Sequence, residues 1–212
     1  METGLVQTIE KKDSGRAGRA GMSEYLLVVY PDGDMQDRLL VEQQQFSAEF
    51  GLERRLDQGQ RVANNFPGRN KPHITLASFQ AGDEAEATLI RWIQRICSER
   101  RSFEIALNNY SGIPPHTIFL RVQDPEPLME LMRQLVAIDE FIRSSGWPPV
   151  QLIGRPYLSI AGGLTEQVYN KAMPDYSRKM FHGSFRVGEL VLLKRKHSFD
   201  PCRTVNVFGL KS

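Results

Sequence analysis

The alternation of apolar and polar positions divides the chain into short strands and amphipathic helices. Tyr25 to Tyr30 (YLLVVY) is a β-rich run ended by Pro31, Asp32 and Gly33, a turn signal. Met35, Leu39, Phe46 and Phe50 then fall on one helical stripe, and Gly51 follows as a stop, which predicts a helix over 35–50. Residues 58–71 have little periodicity and contain Asn64, Asn65, Pro67, Gly68 and Asn70, the composition of a loop. His73 to Phe79 reads as a strand. Asp83 with Glu86 three residues on has the form of a capping box, opening a helix towards Glu99 with Leu89, Ile93 and Ile96 as its stripe.

Further along, Phe103, Ile105 and Leu107 alternate with polar or small residues, and Ile118, Leu120 and Val122 alternate with Phe119 and Arg121. These two strands predict a hairpin whose long loop runs from Tyr110 to Pro115. Pro125 and Pro127 open a helix carrying Leu128, Leu131, Leu135 and Ile142. Residues 144–155 (SSGWPPVQLIGR) read as a second loop, and Pro156 to Ala161 as a strand. A helix from Thr165 is interrupted or kinked near Pro174, and strands at 189–194 and 204–208 close the chain. This order is α+β, without a regular βαβ alternation. Residues 1–21, rich in Gly, Lys and Arg towards their end, read as a mobile tail.

Composition narrows the function classes. A chain of 212 residues can hold one sizeable domain or two small lobes sharing a core. Its net charge of +2 says nothing for nucleic acid as a whole, so any polyanion site must be a local basic cluster. Cys97 and Cys202 form no Cys-x-x-Cys pair, which removes support for a zinc site or redox motif. They are expected to be reduced thiols in a cytoplasmic protein. No run approaches the roughly 18 apolar residues a membrane span needs, and no apolar core of a secretory signal precedes Met22.

The chemistry lies in an internal echo. Residues 71–76 read KPHITL and residues 155–160 read RPYLSI: a base, a proline, a ring, an aliphatic, a hydroxyl and an aliphatic in each. In a strand, positions i and i+2 share a face. His73 and Thr75 therefore face one side together, as do Tyr157 and Ser159, while Ile74, Leu76, Leu158 and Ile160 face the other and should bury. Two such strands side by side would gather two rings and two hydroxyls around one point. Rings move protons and hydroxyls hold non-bridging oxygens, which suits phosphoryl chemistry.

At these residues the sequence resembles the two-histidine phosphoesterases, which include the bacterial RNA 2′–5′ ligase and cyclic phosphodiesterase group. Those proteins carry two His-x-Thr/Ser motifs, one per lobe. The first motif matches at His73 and Thr75; the second matches at Pro156, Leu158, Ser159 and Ile160 and departs at Tyr157. The order of elements over 22–212 and the late strand ELVLLKR also resemble the family. The resemblance implies a single bilobal domain over 22–212: two pseudo-symmetric lobes of antiparallel sheet flanked by helices, with the active-site groove between them. It implies metal-free chemistry without a cofactor, on RNA or a nucleotide bearing a 2′,3′-cyclic phosphate or 2′–5′ linkage, by a monomer. His73 would be the base and Thr75 and Ser159 the oxyanion ligands.

Tyr157 has three readings: a weak acid, a stacking ring in a binding site, or a structural strand tyrosine. The protein is accordingly an enzyme, a non-catalytic RNA- or nucleotide-binding protein, or an interaction scaffold on the same fold. Lys71 and Arg155 flank the motifs symmetrically and are candidate contacts for an anionic substrate. Arg195, in the basic run LKRKH at 193–197, is another. His116, in PPHTI, is a further candidate, although its neighbouring hydroxyl at i+1 falls on the opposite face. His182 and His197 read as solvated surface residues, and Phe79, Phe119 and Trp92 as core.

Overall fold

A computed structural model of the protein describes residues 21–52, 71–197 and 200–212. The expected tail over 1–21 and the loop over 58–71 lie outside the described residues except for Gly21 and Lys71. The elements run β1 (Met22–Val29), α1 (Gly33–Glu49), β2 (Ile74–Gly82), a 3-10 turn (Asp83–Ala85), α2 (Glu86–Glu99), β3 (Phe103–Ile113) and β4 (Thr117–Val122). They continue with α3 (Glu126–Gln134), α4 (Val136–Ser144), β5 (Gln151–Leu152), β6 (Tyr157–Ala161), α5 (Glu166–Tyr176), β7 (His182–Val187), β8 (Glu189–Arg195) and β9 (Arg203–Gly209).

The strands form one curled antiparallel sheet in the order β7-β3-β4-β6-β2-β1-β8-β9, with β5 paired to β2. The order is symmetric about the β6–β2 junction. Outward from it, β2, β1, β8 and β9 correspond to β6, β4, β3 and β7. The fold is therefore α+β with two pseudo-symmetric halves, as expected. Helices cross between the halves: α1, which follows β1, packs against β6 and β7, and α3, which follows β4, packs against β2. Each half thus covers part of the other, which ties the two into one body.

Alternation in the strands decides which face the helices take. Tyr25, Leu27 and Val29 of β1, Ile74 and Leu76 of β2, and Leu158 and Ile160 of β6 join Leu39, Phe46, Leu89, Ile93 and Leu131 of the helices in the main core. The residues between them on the strands face the side opposite that core. On α1, Asp32 caps the first turn by accepting from the Met35 N–H at 3.1 Å. On α5, Thr165 does the same for Val168.

Several elements differ from expectation. Asp83 and Glu86 make no capping box; both turn to β8, where Lys194 lies 2.9 Å from Asp83 and 2.7 Å from Glu86. A buried ammonium attracts two carboxylates more strongly than a helix N-terminus does. The hairpin loop is short, because β3 continues to Ile113 and only Pro114, Pro115 and His116 turn the chain. The helix after Pro125 breaks at Leu135, whose N–H bonds to the Met132 carbonyl three residues back. Pro174 falls in the last turn of α5. Short β5 falls within the expected loop over 144–155, and strand β7 adds to the expected elements. Gly183 within it weakens the strand pattern, but a side chain there would collide with Met35 of α1. Cys97 is buried and Cys202 half-buried, and no disulfide joins them.

Candidate active site

Strands β2 and β6 meet at the junction of the two halves, where Ile74 pairs with Leu158. Each is the central residue of its motif. Extending the antiparallel register one residue either way sets His73 opposite Ser159 and Thr75 opposite Tyr157. Directly opposed residues share a face. All four are half-buried on the face opposite the main core, while Ile74 and Leu158 are fully buried on the other. The two ring-x-hydroxyl motifs therefore come together as one group, related by the same axis that relates the halves.

His73 is oriented by its own strand entry. Its Nδ1 lies 2.8 Å from the Lys71 carbonyl. A carbonyl can only accept, so Nδ1 carries the proton and, in the neutral ring, Nε2 keeps its lone pair. Burial holds the imidazole below its ordinary value near 6.5, against the bond to Lys71, which favours the charged ring. His73 is thus a neutral base with a fixed tautomer at pH 7. Tyr30, just past β1, meets the ring edge-on at 5.9 Å between centroids.

Tyr157 packs against Phe119 of β4, 4.7 Å between ring centroids. Burial raises its phenol above the ordinary value near 10, so it keeps its proton at neutral pH. Its hydroxyl has no hydrogen-bond partner among the described residues. The Ser159 hydroxyl is shut off from solvent and likewise unpartnered. The Ser159 carbonyl, beyond the Ile74–Leu158 pairing, accepts instead from Gln43 Nε2 of α1 at 3.0 Å. Gln43 is buried.

The expected substrate contacts are placed unevenly. Lys71 and Arg155 are exposed and stand two residues before His73 and Tyr157, at the entries of the two motifs. Arg195 lies on the same face of the sheet but is held by Glu24, with Nε and Nη2 2.8 and 2.7 Å from its two carboxylate oxygens. Lys194 and Lys196 of the basic run also bind carboxylates. His116 sits at the β3–β4 turn, where its Nδ1 and carbonyl both meet the backbone of Leu164; it is not brought to the motifs. Among the described residues no three His, Cys, Asp or Glu side chains cluster as a metal site would need. No described helix is long and apolar enough to cross a membrane.

Tyr30, Gln43, Phe119 and Arg121 also surround the motifs, beyond the expected site residues. Phe119 and Arg121 had a signal, since they alternate with the buried Ile118 and Leu120 and the half-buried Val122. Gln43 had one too, as a polar residue on the apolar stripe of α1.

Two halves of one antiparallel sheet, each lending a ring and a hydroxyl to their junction, define the class: a duplicated α+β fold with its site on the axis. The same fold occurs in Escherichia coli LigT complexed with 3′-AMP, at a TM-score of 0.58 and 14% identity over 91% of this chain and 100% of that one. It occurs also in TT0787 of Thermus thermophilus, at 0.57 and 14% over 89% and 98%, and in a solved phosphoesterase at 0.53 and 15% over 90% and 99%. The family model of the 2′-5′ RNA ligase superfamily matches residues 49–198, and the chain belongs to that superfamily. No curated protein sequence matches the chain significantly.

Proposed function

We propose that the protein carries out metal-independent phosphodiester chemistry, hydrolysis or ligation, on a 2′,3′-cyclic phosphate or 2′–5′ linkage of RNA or a nucleotide. The observation that carries this reading is the state of His73: its Nδ1–H is fixed on the Lys71 carbonyl, leaving Nε2 as acceptor on the same face of the sheet as a second ring that keeps its proton. In hydrolysis, Nε2 takes the proton of a water that attacks phosphorus. The bond from phosphorus to one ribose oxygen breaks, and the Tyr157 hydroxyl protonates that oxygen. A phosphomonoester remains, and solvent returns the proton from His73 to the phenolate. An RNA 5′-hydroxyl in place of water gives ligation by the same steps: its oxygen joins phosphorus, His73 takes its proton, and the ribose oxygen leaves with the proton of Tyr157. Thr75 and Ser159 hold the non-bridging oxygens. Ser159 qualifies by its position across from His73, and its hydroxyl must turn outward from its buried site to reach a ligand. The family membership and the 3′-AMP bound by the similarly folded LigT support a nucleotide ligand.

A second reading has its own observation. The tilted pair of Tyr157 and Phe119 is an aromatic wall, suited to holding a base in a protein that binds RNA or nucleotides without turning them over. The test is incubation of pure protein with 2′,3′-cyclic AMP and with an oligonucleotide ending in a cyclic phosphate, in the presence of EDTA. Conversion to a phosphomonoester, absent from His73→Ala, is the expected result. Binding without conversion would leave the second reading, and neither binding nor conversion would sink both.

A further inference from the structure

The face of the sheet opposite the main core is symmetric in topology but not in chemistry. On the β2 side, Val28, Val191 and Leu193 form a small second apolar cluster with Leu26, Tyr30 and Cys202 against it. The arginine of that side, Arg195, is held by Glu24. The β6 side is polar. Register places Tyr157 opposite Arg121 of β4, Arg121 opposite Asn108 of β3, and Asn108 opposite His182 of β7, so these four form one row across four strands. Arg121 is exposed, donates from Nη2 to Asn108 Oδ1 at 3.3 Å, and pairs with no carboxylate among the described residues. The Phe119 ring lies beside the row against Tyr157.

A guanidinium held in orientation by an amide, with no carboxylate among the described residues against it, is suited to bind a phosphate. Adjacent strands lie about 4.8 Å apart, so Arg121 starts one strand from Tyr157 and its long side chain extends beyond it. That range suits the phosphate next along a nucleic acid strand, not the one at the motifs. We infer that the protein takes an RNA oligonucleotide end in preference to a mononucleotide, and that the RNA leaves the motifs over the β6 side of the sheet, with Arg121 holding the adjacent phosphate. This rests on the proposed function and assigns its substrate class and direction.

The test compares two probes by equilibrium binding: 3′-AMP, and a fluorescent RNA tetranucleotide carrying a 3′-phosphate. The wild type should bind the tetranucleotide at least 10-fold more tightly. Arg121→Gln should weaken tetranucleotide binding about 10-fold and leave 3′-AMP within twofold. Its salt slope should fall by about 0.7, the contribution of one phosphate contact on a single strand. Arg121→Lys, which keeps the charge, should retain the slope. Equal loss for both probes, or for neither, would overturn the inference while leaving the proposed function standing. A wild type that binds neither probe would overturn both.

Discussion

Ile74 and Leu158 face each other across the junction of β2 and β6, each the centre of a ring-x-hydroxyl motif. This single pairing sets the site. Both aliphatics point into the main core, so the residues on either side of them are forced onto the opposite face. A slip of one residue in either strand would bury a ring and a hydroxyl and expose two aliphatics. The cost of that exchange, roughly 1.5–3 kcal/mol for each large aliphatic, makes the hydrophobic core the device that holds His73 beside Ser159 and Thr75 beside Tyr157.

The His73 environment predicts an unusual pH profile. Burial lowers the imidazole value below 6.5, so the ring loses its role as base only as pH falls through that lowered value. The acid limb of kcat/KM should therefore lie below 6.5. Burial raises the Tyr157 phenol above 10, so no alkaline limb from this acid should appear before that pH. An alkaline limb near 8 would show that some other group donates the proton. Stability should follow the same sign. Between the lowered folded value and 6.5 the unfolded chain binds more protons at this position, so the contribution of His73 is lost as pH falls through that window.

Ser159→Ala should separate stability from function. Its hydroxyl is buried without a partner, and removing it relieves a penalty of about 1 kcal/mol. Thermal unfolding of the free protein should rise by about 2–4 °C, while affinity for phosphate or 3′-AMP falls. A variant that loses stability would mean that the hydroxyl is satisfied in solution.

Gln43 bridges α1 and β6 where β2 no longer pairs with it, donating to the Ser159 carbonyl. Gln43→Leu keeps the volume but leaves that carbonyl unpaired. Gln43 Oε1 is itself buried without a partner among the described residues, so its removal offsets part of the cost; the expected net loss in denaturant unfolding is about 1 kcal/mol, with a fall in activity because Ser159 is no longer held. Activity unchanged alongside a clear loss of stability would confine Gln43 to the fold.

Tyr157 can be tested by replacement in both directions. Tyr157→Phe removes the donor but keeps the ring on Phe119, and should lower turnover without weakening nucleotide binding. Tyr157→His rebuilds a two-histidine pattern and should raise cyclic phosphodiesterase activity about 10- to 100-fold, the low end of what one positioned acid contributes. A Tyr157→His protein that folds, binds phosphate and shows no turnover would favour the binding reading.

Much of this site was legible from alternation alone. The i, i+2 spacing of His73 with Thr75 and of Tyr157 with Ser159 gave their shared face, and the Pro-framed echo gave their partnership. What alternation could not supply was charge pairing. Lys194, Arg195 and Lys196 look like a basic patch in one dimension, but Glu24 and Asp83, distant in sequence, meet them across the sheet. The capping box failed for the same reason, since Asp83 and Glu86 had a stronger partner that no local rule includes. Strand β7 was hidden by Gly183, whose small size serves the approach of α1. Arg121 was visible on the polar face of its strand, but its place beside Tyr157 depends on a pairing between strands 36 residues apart.

The central claim is that the two motifs form one phosphate site at the β2–β6 junction, and a structure of the protein with 3′-AMP bound tests it most directly. The account predicts the phosphate on the face opposite the main core, above Ile74 and Leu158, with its oxygens within hydrogen-bond reach of His73 Nε2 and of the hydroxyls of Thr75, Tyr157 and Ser159. A nucleotide seated elsewhere, or a phosphate touching one motif and not the other, would contradict it.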